Sequence, residues 1–359
     1  MKNKPPKINF IGNKEKLASW ICDLFPIAAE SVFDAFAGSS SVGYEAKKRG
    51  MRVISNDILK INAQLATALI ENKRETLEES DLTILFAGKP VKGFMYKNYA
   101  NVYFFPNECM ELDRYRKNVE KLGSTYKKAL ALSLLRRAMI RKMPYSRFTI
   151  DWNTIKKLRD EVHSYKTYGR KRAYHNLSFR EHVLANLTAY NQAVFDNGKD
   201  NRVYNRDIFD LLGTVQADVI YLDPPYSGTM NNYFGFYGAL DEYIESKKLK
   251  PFKNNFVNRK SALELFDRLF ANLTSYKYWV MSYNNSSFPS KEELYTLLSK
   301  YASSIEIIEK PHRYKVTGKE NKDRNTEYLF VVKNLKKTHV LDDIRDMQVV
   351  PPQEMSYQE

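Results

Sequence analysis

The sequence predicts an α/β fold with a doubly wound, mixed sheet whose last strands pair antiparallel. Short apolar strands alternate with helical patterns along the chain, and two consecutive strands come at its end. The strand over 219–222 is apolar throughout, as a helix-covered sheet requires, and it stops at Asp223, Pro224 and Pro225. Because open α/β sheets bind ligands at the carboxyl ends of their strands, we expect the function of the chain there.

The first half of the sheet is predicted by two strand–helix pairs. An apolar strand over 32–36 leads into the small residues of 38–41 and a helix that reaches Arg49. A second strand over 52–57 ends in Asp57, and a helical pattern follows over 58–77. The later strands are predicted over 202–204, 219–222, 278–283, 304–308 and 327–333. An aromatic-rich segment after Tyr226, with Tyr233, Phe234, Phe236 and Tyr237, is expected to form a mobile loop.

A basic, aromatic-rich region over 85–200 interrupts this pattern and is expected to form a mainly helical inserted domain. Its longest helical pattern runs over 107–142, with a break expected near Gly123. The α/β domain is therefore predicted to be discontinuous, over 1–84 and 201–337. Residues 338–359 are expected to form a loosely held tail.

The charge of the chain indicates a polyanionic partner. The net charge is +15 and the pI is near 9.4. Between Arg136 and Arg180 there are 13 Lys or Arg against 3 Asp or Glu, and bases alternate with aromatic rings. Such a block differs from a solvated helix face, where acids would alternate with bases, and it favours contact with nucleic acid. The candidate contacts are Arg136, Arg137, Arg141, Lys142, Tyr145, Ser146, Arg147, Arg170, Lys171 and Arg172.

Several classes of protein are disfavoured by composition. Cys22 and Cys109 are the two cysteines, which suggests free thiols in a reducing cytoplasm and not a disulfide framework. No apolar run approaches the ~20 residues that span a bilayer, and no apolar segment follows the basic N-terminus. No Cys/His set has the spacing of a metal site, so no metal is expected.

Small residues and acids at strand ends suggest a nucleotide-type site. The turn at Gly38–Ser41 lets the backbone approach a ligand, although Ser40 stands where a second glycine of a dinucleotide fingerprint would be. Asp57 lies about 20 residues further on, where such sites place a ribose-binding carboxylate. It could equally cap the next helix, and both roles can coexist. Asp207 could bind a ligand in the same cleft or cap a turn.

The chain resembles the Dam-like (D12 class, alpha-group) S-adenosylmethionine-dependent DNA adenine-N6 methyltransferases. In that class a cofactor loop precedes the target-recognition region, and Asp-Pro-Pro-Tyr follows it. The resemblance covers most of residues 8–333. Its specific parts are the Phe36-Ala37-Gly38 turn and Asp223-Pro224-Pro225-Tyr226. This chain departs from the family at Ser40, where glycine is more frequent.

The resemblance implies a Rossmann-like methyltransferase fold, with a catalytic domain over 1–84 and 201–337 and a DNA target-recognition domain over 85–200. It implies S-adenosyl-L-methionine as cofactor and a flipped adenine in double-stranded DNA as acceptor. The cofactor-binding residues would be Phe10, Lys14, Asp34, Phe36, Gly38, Ser39, Asp57, Asp207 and Asp223. The catalytic residues would be Asp223, Pro224 and Tyr226. The protein would be a monomer, with a cognate restriction endonuclease encoded separately.

Other functions fit these residues less well. Methylation of cytosine C5 requires a thiolate in the site, and neither Cys22 nor Cys109 follows a strand-end motif. Cytosine-N4 enzymes resemble this chemistry but commonly have Ser in place of Asp223. N-methylation of RNA or of a protein glutamine is a closer alternative, although the latter more often uses Asn-Pro-Pro-Tyr. A DNA-binding protein that retains only the fold is disfavoured by the intact Asp223 and Tyr226.

Overall fold

The computed structural model describes residues 3–146, 148–169, 176–227, 233–253, 256–311 and 325–334. The strands are β1 (Ser31–Asp34), β2 (Arg52–Asn56), β3 (Arg202–Tyr204), β4 (Val219–Leu222), β5 (Tyr278–Asn284), β6 (Ser304–Pro311) and β7 (Thr326–Lys333). The helices are α1 (Ala18–Asp23), α2 (Ser41–Lys48), α3 (Lys60–Ala66), α4 (Glu79–Phe86), α5 (Phe94–Tyr99), α6 (Pro106–Val119), α7 (Thr125–Lys142), α8 (Trp152–Arg159), α9 (Glu161–Tyr168), α10 (Phe179–Gln192), α11 (Tyr233–Glu245), α12 (Ala262–Ala271) and α13 (Lys291–Leu298). The predicted tail over 338–359 lies outside the described residues.

The strands form one seven-stranded sheet in the order β3-β2-β1-β4-β5-β7-β6. The first five pair in parallel, whereas β7 pairs antiparallel with both β5 and β6. The chain winds outward from β1 to β3 and then outward in the other direction from β4, so the winding reverses between β1 and β4. The predicted fold class, a doubly wound mixed sheet with antiparallel last strands, is confirmed.

Alternate residues of the central strands pack into cores on opposite faces of the sheet. In β1 and β4, Val32, Val219 and Tyr221 face one core. Phe33 and Ile220 face the other and are fully buried. Both faces are therefore covered, which explains why these strands read as continuous apolar runs.

The region between β2 and β3 is mainly helical, and part of it shares the core of the sheet. The pattern predicted over 107–142 is two helices, α6 and α7, with Gly123 in the break between them. Ser124 begins α7 by accepting the N–H groups of Tyr126 and Lys127. Helix α7 packs against α3 and α10, and its side chains are buried along most of its length in the core that Val32 also faces.

Helix α11 corrects the prediction of a mobile loop, since Tyr233–Glu245 is helical. It is tied to the start of α3 through Asp241, whose two carboxylate oxygens accept the N–H groups of Lys60 and Ile61 at 2.8 Å each. This side chain satisfies backbone donors that α3 itself cannot pair. Burial raises the pKa of Asp241 to about 7.

Candidate functional site

A cavity opens at the carboxyl ends of β1 and β4, where the winding of the sheet reverses. All the predicted cofactor-binding and catalytic residues line it, namely Phe10, Lys14, Asp34, Phe36, Gly38, Ser39, Asp57, Asp207, Asp223, Pro224 and Tyr226. They come from segments more than 200 residues apart in the chain. The sheet topology brings the strand ends together, as expected for a ligand site at a switch point, and the N-terminal segment with Phe10 and Lys14 lies beside them.

The small-residue turn after β1 is held in a left-handed backbone conformation. Gly38 has φ +51°, and a Cβ there would lie 3.0 Å from the Phe10 ring. Ser40 also has a positive φ of 57°, which is where glycine is favoured. The hydroxyls of Ser39 and Ser41 donate to the Asn13 side-chain oxygen at 2.8 and 2.7 Å, so the turn is bound to the N-terminal segment.

Asp57 fixes the turn from the second strand. Its carboxylate accepts the N–H of Gly38 at 2.7 Å and that of Leu59 at 2.8 Å. Asn62 donates to the same carboxylate at 3.3 Å. Burial raises the pKa of Asp57 to about 6 against these hydrogen bonds. The side chain thus joins the turn after β1 to the start of α3, while the residue still lines the cavity.

Asp34 is a buried acid with an unsatisfied oxygen. Its Oδ2 accepts the N–H of Gly43 at 3.2 Å. Its Oδ1 is buried and has no hydrogen-bond partner among the described residues. Burial, followed by the repulsion of Asp223, raises the pKa of Asp34 to about 8. A cationic group in the cavity would relieve both effects.

Asp223 is paired with the buried Lys14. The Lys14 ammonium lies 3.2 Å from Asp223 Oδ1 and donates to the Tyr226 hydroxyl at 3.5 Å. The Tyr226 ring packs against Tyr283 of β5 with centroids 4.8 Å apart. Burial raises the pKa of Asp223 to about 6, and Lys14 opposes this shift. The strand end therefore holds both the carboxylate and the ring in fixed positions.

An aromatic wall closes the side of the cavity near α11. Phe10 stacks on Tyr237 with ring centroids 4.9 Å apart and an interplanar angle of 15°. The Tyr237 hydroxyl also accepts the N–H of Ile11 at 2.9 Å. The Arg136 guanidinium lies 5.6 Å from the centre of the Phe10 ring. Helix α11 thus holds the N-terminal segment over the cavity.

The structure corrects the prediction that Arg136, Arg137 and Lys142 face DNA, because all three are buried. Arg136 donates to Asn62 at 3.3 Å, and Arg137 donates to the carbonyl of Lys7 at 2.6 Å. These cations stabilise the interior and are not available to phosphates.

A buried ion cluster accounts for Lys142. Its ammonium donates to Glu108 Oε1 at 2.8 Å. Arg159 donates to both oxygens of the same carboxylate, at 2.8 and 2.6 Å. These partners hold the pKa of Glu108 at about 2 although burial opposes them. The cluster joins α6, α7 and α8 and is structural.

Other predicted DNA contacts lie at the end of α7. Arg141 is half-buried, whereas Tyr145 is 52% exposed. Tyr145 and Ser146 have positive φ angles of 57° and 58°, which two consecutive non-glycine residues rarely adopt. Arg147, Arg170, Lys171 and Arg172 lie outside the described residues. Their contact with DNA stays a prediction.

Four residues that support the cavity from behind its lining, Asn13, Tyr237, Tyr283 and Glu327, were not predicted as site residues from the sequence. Asn13 binds the hydroxyls of the turn, and Tyr237 holds Phe10 and Ile11 of the N-terminal segment. Glu327 is fully buried on β7, and its carboxylate lies 2.9 Å from the Lys14 ammonium. An acid at the start of an apolar strand was the one signal for Glu327 in the sequence.

The comparison with known families agrees with this geometry. A family model described as D12 class N6 adenine-specific DNA methyltransferase matches residues 10–297. The chain belongs to this family. It is therefore an enzyme that methylates adenine N6 in DNA, and its turn after β1 and its Asp-Pro-Pro-Tyr line one cavity.

Individual relatives cover nearly the whole chain. The chain is 56% identical over 331 residues to the Type II methyltransferase M2.HphI of Haemophilus parahaemolyticus, covering 92% of this chain and 98% of that protein. It is 23% identical to the Type II methyltransferase M.CviAII of Paramecium bursaria Chlorella virus 1, over 91% of this chain and 98% of that protein. It is 24% identical to the Type II methyltransferase M.FokI of Planomicrobium okeanokoites, over 90% of this chain and 52% of that protein.

None of the described helices is long and apolar enough to cross a bilayer. In the same part of the chain, no group of three or more His, Cys, Asp or Glu side chains is arranged to hold a metal ion.

Proposed function

We propose that the methyltransferase transfers a methyl group from S-adenosyl-L-methionine to N6 of an adenine flipped out of double-stranded DNA, within one short recognition site. The observation that supports this proposal is the position of Asp223 and Tyr226, which line the same cavity as Asp34, Gly38 and Asp57. A base inside a duplex cannot reach such a cavity, so it has to leave the stack.

The residues of the cavity fit S-adenosyl-L-methionine. Its ammonium and sulfonium groups are cations, and the unsatisfied Asp34 Oδ1 and the repulsion between Asp34 and Asp223 favour a cationic ligand. Gly38 leaves room beside Phe10 that a side chain would fill. Asp57 would bind the ribose hydroxyls, and Asp207 would lie near the adenine ring. When bound, the cofactor supplies an electrophilic methyl group.

The protein groups prepare the adenine amine to attack. This amine is a poor nucleophile because its lone pair is delocalised into the ring. The Asp223 carboxylate and the Pro224 carbonyl accept its two hydrogens and favour a tetrahedral nitrogen whose lone pair is free. Tyr226 stacks on the flipped ring and holds it in place. Positioning and electrostatics thus promote an in-line displacement without a covalent enzyme intermediate.

The rest of the proposal concerns partners and setting. We propose that 85–200 contains the target-recognition domain, because the bases of this region that remain exposed, such as Lys156 and Lys157 on α8, suit a DNA backbone. Relatives named as Type II methyltransferases support pairing with a separately encoded restriction endonuclease. We propose that the enzyme acts in the cytoplasm as a monomer.

The experiment measures transfer of tritiated methyl groups from S-adenosyl-L-methionine to DNA by the wild type and by Asp223→Ala. We expect transfer by the wild type, and loss by the variant of at least about 100-fold because the amine loses its acceptor. Modification-sensitive sequencing of DNA from expressing cells should then show methylated adenine in one short motif. Binding of DNA without transfer by the wild type would refute the proposal.

A further inference from the structure

A second carboxylate lies behind the catalytic one. Glu327 is on β7, where it pairs with Asn284 of β5, and it is fully buried. Its Oε1 lies 2.9 Å from Lys14 Nζ, and that same nitrogen lies 3.2 Å from Asp223 Oδ1. One buried ammonium is therefore shared between an acid that lines the cavity and an acid that does not.

The shared ammonium matters because of what Asp223 has to do. Lys14 contacts Asp223 through Oδ1, at 3.2 Å. If Lys14 were paired with Asp223 alone, its full positive charge would act on this carboxylate. The carboxylate would then be a weaker hydrogen-bond acceptor for the adenine amine. It would also place a positive charge near a nitrogen that becomes positive during methyl transfer. A second carboxylate on the far side of Lys14 reduces both effects.

We propose that Glu327 is a positioning residue for methyl transfer, which holds the Lys14 ammonium to one side of Asp223 so that Oδ2 receives the target amine. This inference rests on the proposed role of Asp223. Burying a carboxylate costs free energy unless it is paired, so a fully buried acid at this position requires Lys14 as its partner. Glu327 acts through Lys14 and does not itself touch the substrate.

The charges around Asp223 give the inference a measurable signature. Burial raises the pKa of Asp223, Lys14 lowers it, and Glu327 raises it. Asp34 and Tyr221 interact electrostatically with the same carboxylate, and the Tyr226 hydroxyl shares Lys14 with it. Methyl transfer requires ionised Asp223, so its rate should rise with pH through the pKa of this group. Removing the charge of Glu327 should move this rise to lower pH, and removing that of Lys14 should move it to higher pH.

The test compares Glu327→Gln with the wild type in single-turnover methylation between pH 5 and pH 9. We expect the rate constant at neutral pH to fall by about tenfold or more. We expect Glu327→Gln to move the acid limb of the pH–rate profile, over which the rate rises with pH, to lower pH. Lys14→Met should move this limb to higher pH. The matched control is Glu309→Gln on β6, which removes an exposed acid paired with Lys291. Melting temperature, DNA affinity and S-adenosylhomocysteine affinity are measured for every variant.

The outcomes separate the two proposals. If Glu327→Gln slows transfer only in proportion to its folded fraction, with an unmoved acid limb, the positioning role is refuted. If Glu327→Gln does not fold, Glu327→Asp takes its place, because it keeps the negative charge. Glu327→Asp should leave the acid limb at its wild-type pH. A shift of the acid limb in Glu327→Asp overturns the inference. Transfer by Asp223→Ala would refute the proposed function itself, whereas an inactive Asp223→Ala beside a normal Glu327→Gln refutes the positioning role alone.

Discussion

Ser40 offers a test of backbone strain in the turn that lines the cavity. Its φ of 57° and ψ of 20° lie in the left-handed region, and its buried hydroxyl has no hydrogen-bond partner among the described residues. The residue precedes α2 and makes no side-chain cap. Ser40→Gly would relieve the backbone strain and remove the unsatisfied hydroxyl. It would also increase the entropy of the unfolded chain.

The energies involved predict that Ser40→Gly stabilises the folded protein. A left-handed non-glycine residue costs about 1–2 kcal/mol. An unsatisfied buried hydroxyl costs about 1 kcal/mol or more. The added freedom of glycine in the unfolded chain offsets about 0.5–1 kcal/mol. We therefore expect Ser40→Gly to raise the free energy of unfolding by about 1–2 kcal/mol and the melting temperature by about 1–3 °C.

Ser39→Gly is the matched control for this prediction. The Ser39 hydroxyl bonds to Asn13 at 2.8 Å and lies 2.9 Å from that of Ser41, and the residue has no positive φ. The same substitution one residue earlier should therefore lower the free energy of unfolding by about 1–2 kcal/mol. Chemical denaturation of both variants measures whether each substitution raises or lowers the free energy of unfolding. A loss of stability in Ser40→Gly of the size seen in Ser39→Gly would show that the turn is not strained.

Two further predictions concern the cofactor cavity and the DNA surface. Gly38→Ala places a Cβ 3.0 Å from the Phe10 ring at φ +51°. Because the strained backbone must shift, we expect the affinity for S-adenosylhomocysteine to fall by about tenfold or more. Calorimetry measures this affinity. Unchanged affinity would contradict the close approach. Lys157 is exposed on α8, whereas Arg137 is buried. Lys157→Ala should reduce the salt dependence of DNA binding by about one unit of slope. Arg137→Ala should instead lower the free energy of unfolding by about 2 kcal/mol and leave the slope unchanged.

Local patterns were enough to predict the sheet and the cavity. A buried strand that ends at two prolines has few other structural meanings, and parallel strands bring their carboxyl ends to one edge. Asp57, Asp207 and Asp223 could therefore be assigned to a single cleft from the sequence alone. Each of these acids follows or ends a strand, so its position depends only on the local pattern.

Contacts between distant segments could not be predicted in this way. Composition does not distinguish a cation on the surface from one paired inside, and the partner of Lys142 is Glu108, 34 residues earlier. The glycines of α11 obscured its helical period, although Gly238 is explained by packing, because a Cβ there would lie 2.9 Å from the Phe234 ring. The contact of Glu327 with Lys14 depends on β7 lying beside β5, which the sequence does not specify.

The shared core of α7 and α3 limits how the enzyme could acquire a new DNA specificity. An exchange of the whole region 85–200 between relatives would remove α7 and α10 and expose one face of the catalytic core. A graft confined to the chain between the end of α7 and the start of α10 would leave both helices in place, provided that it keeps the buried Phe148, Ile155 and Arg159. Changes of target sequence should therefore be tolerated best between Met143 and Ser178, where new recognition residues need not be matched to the sheet.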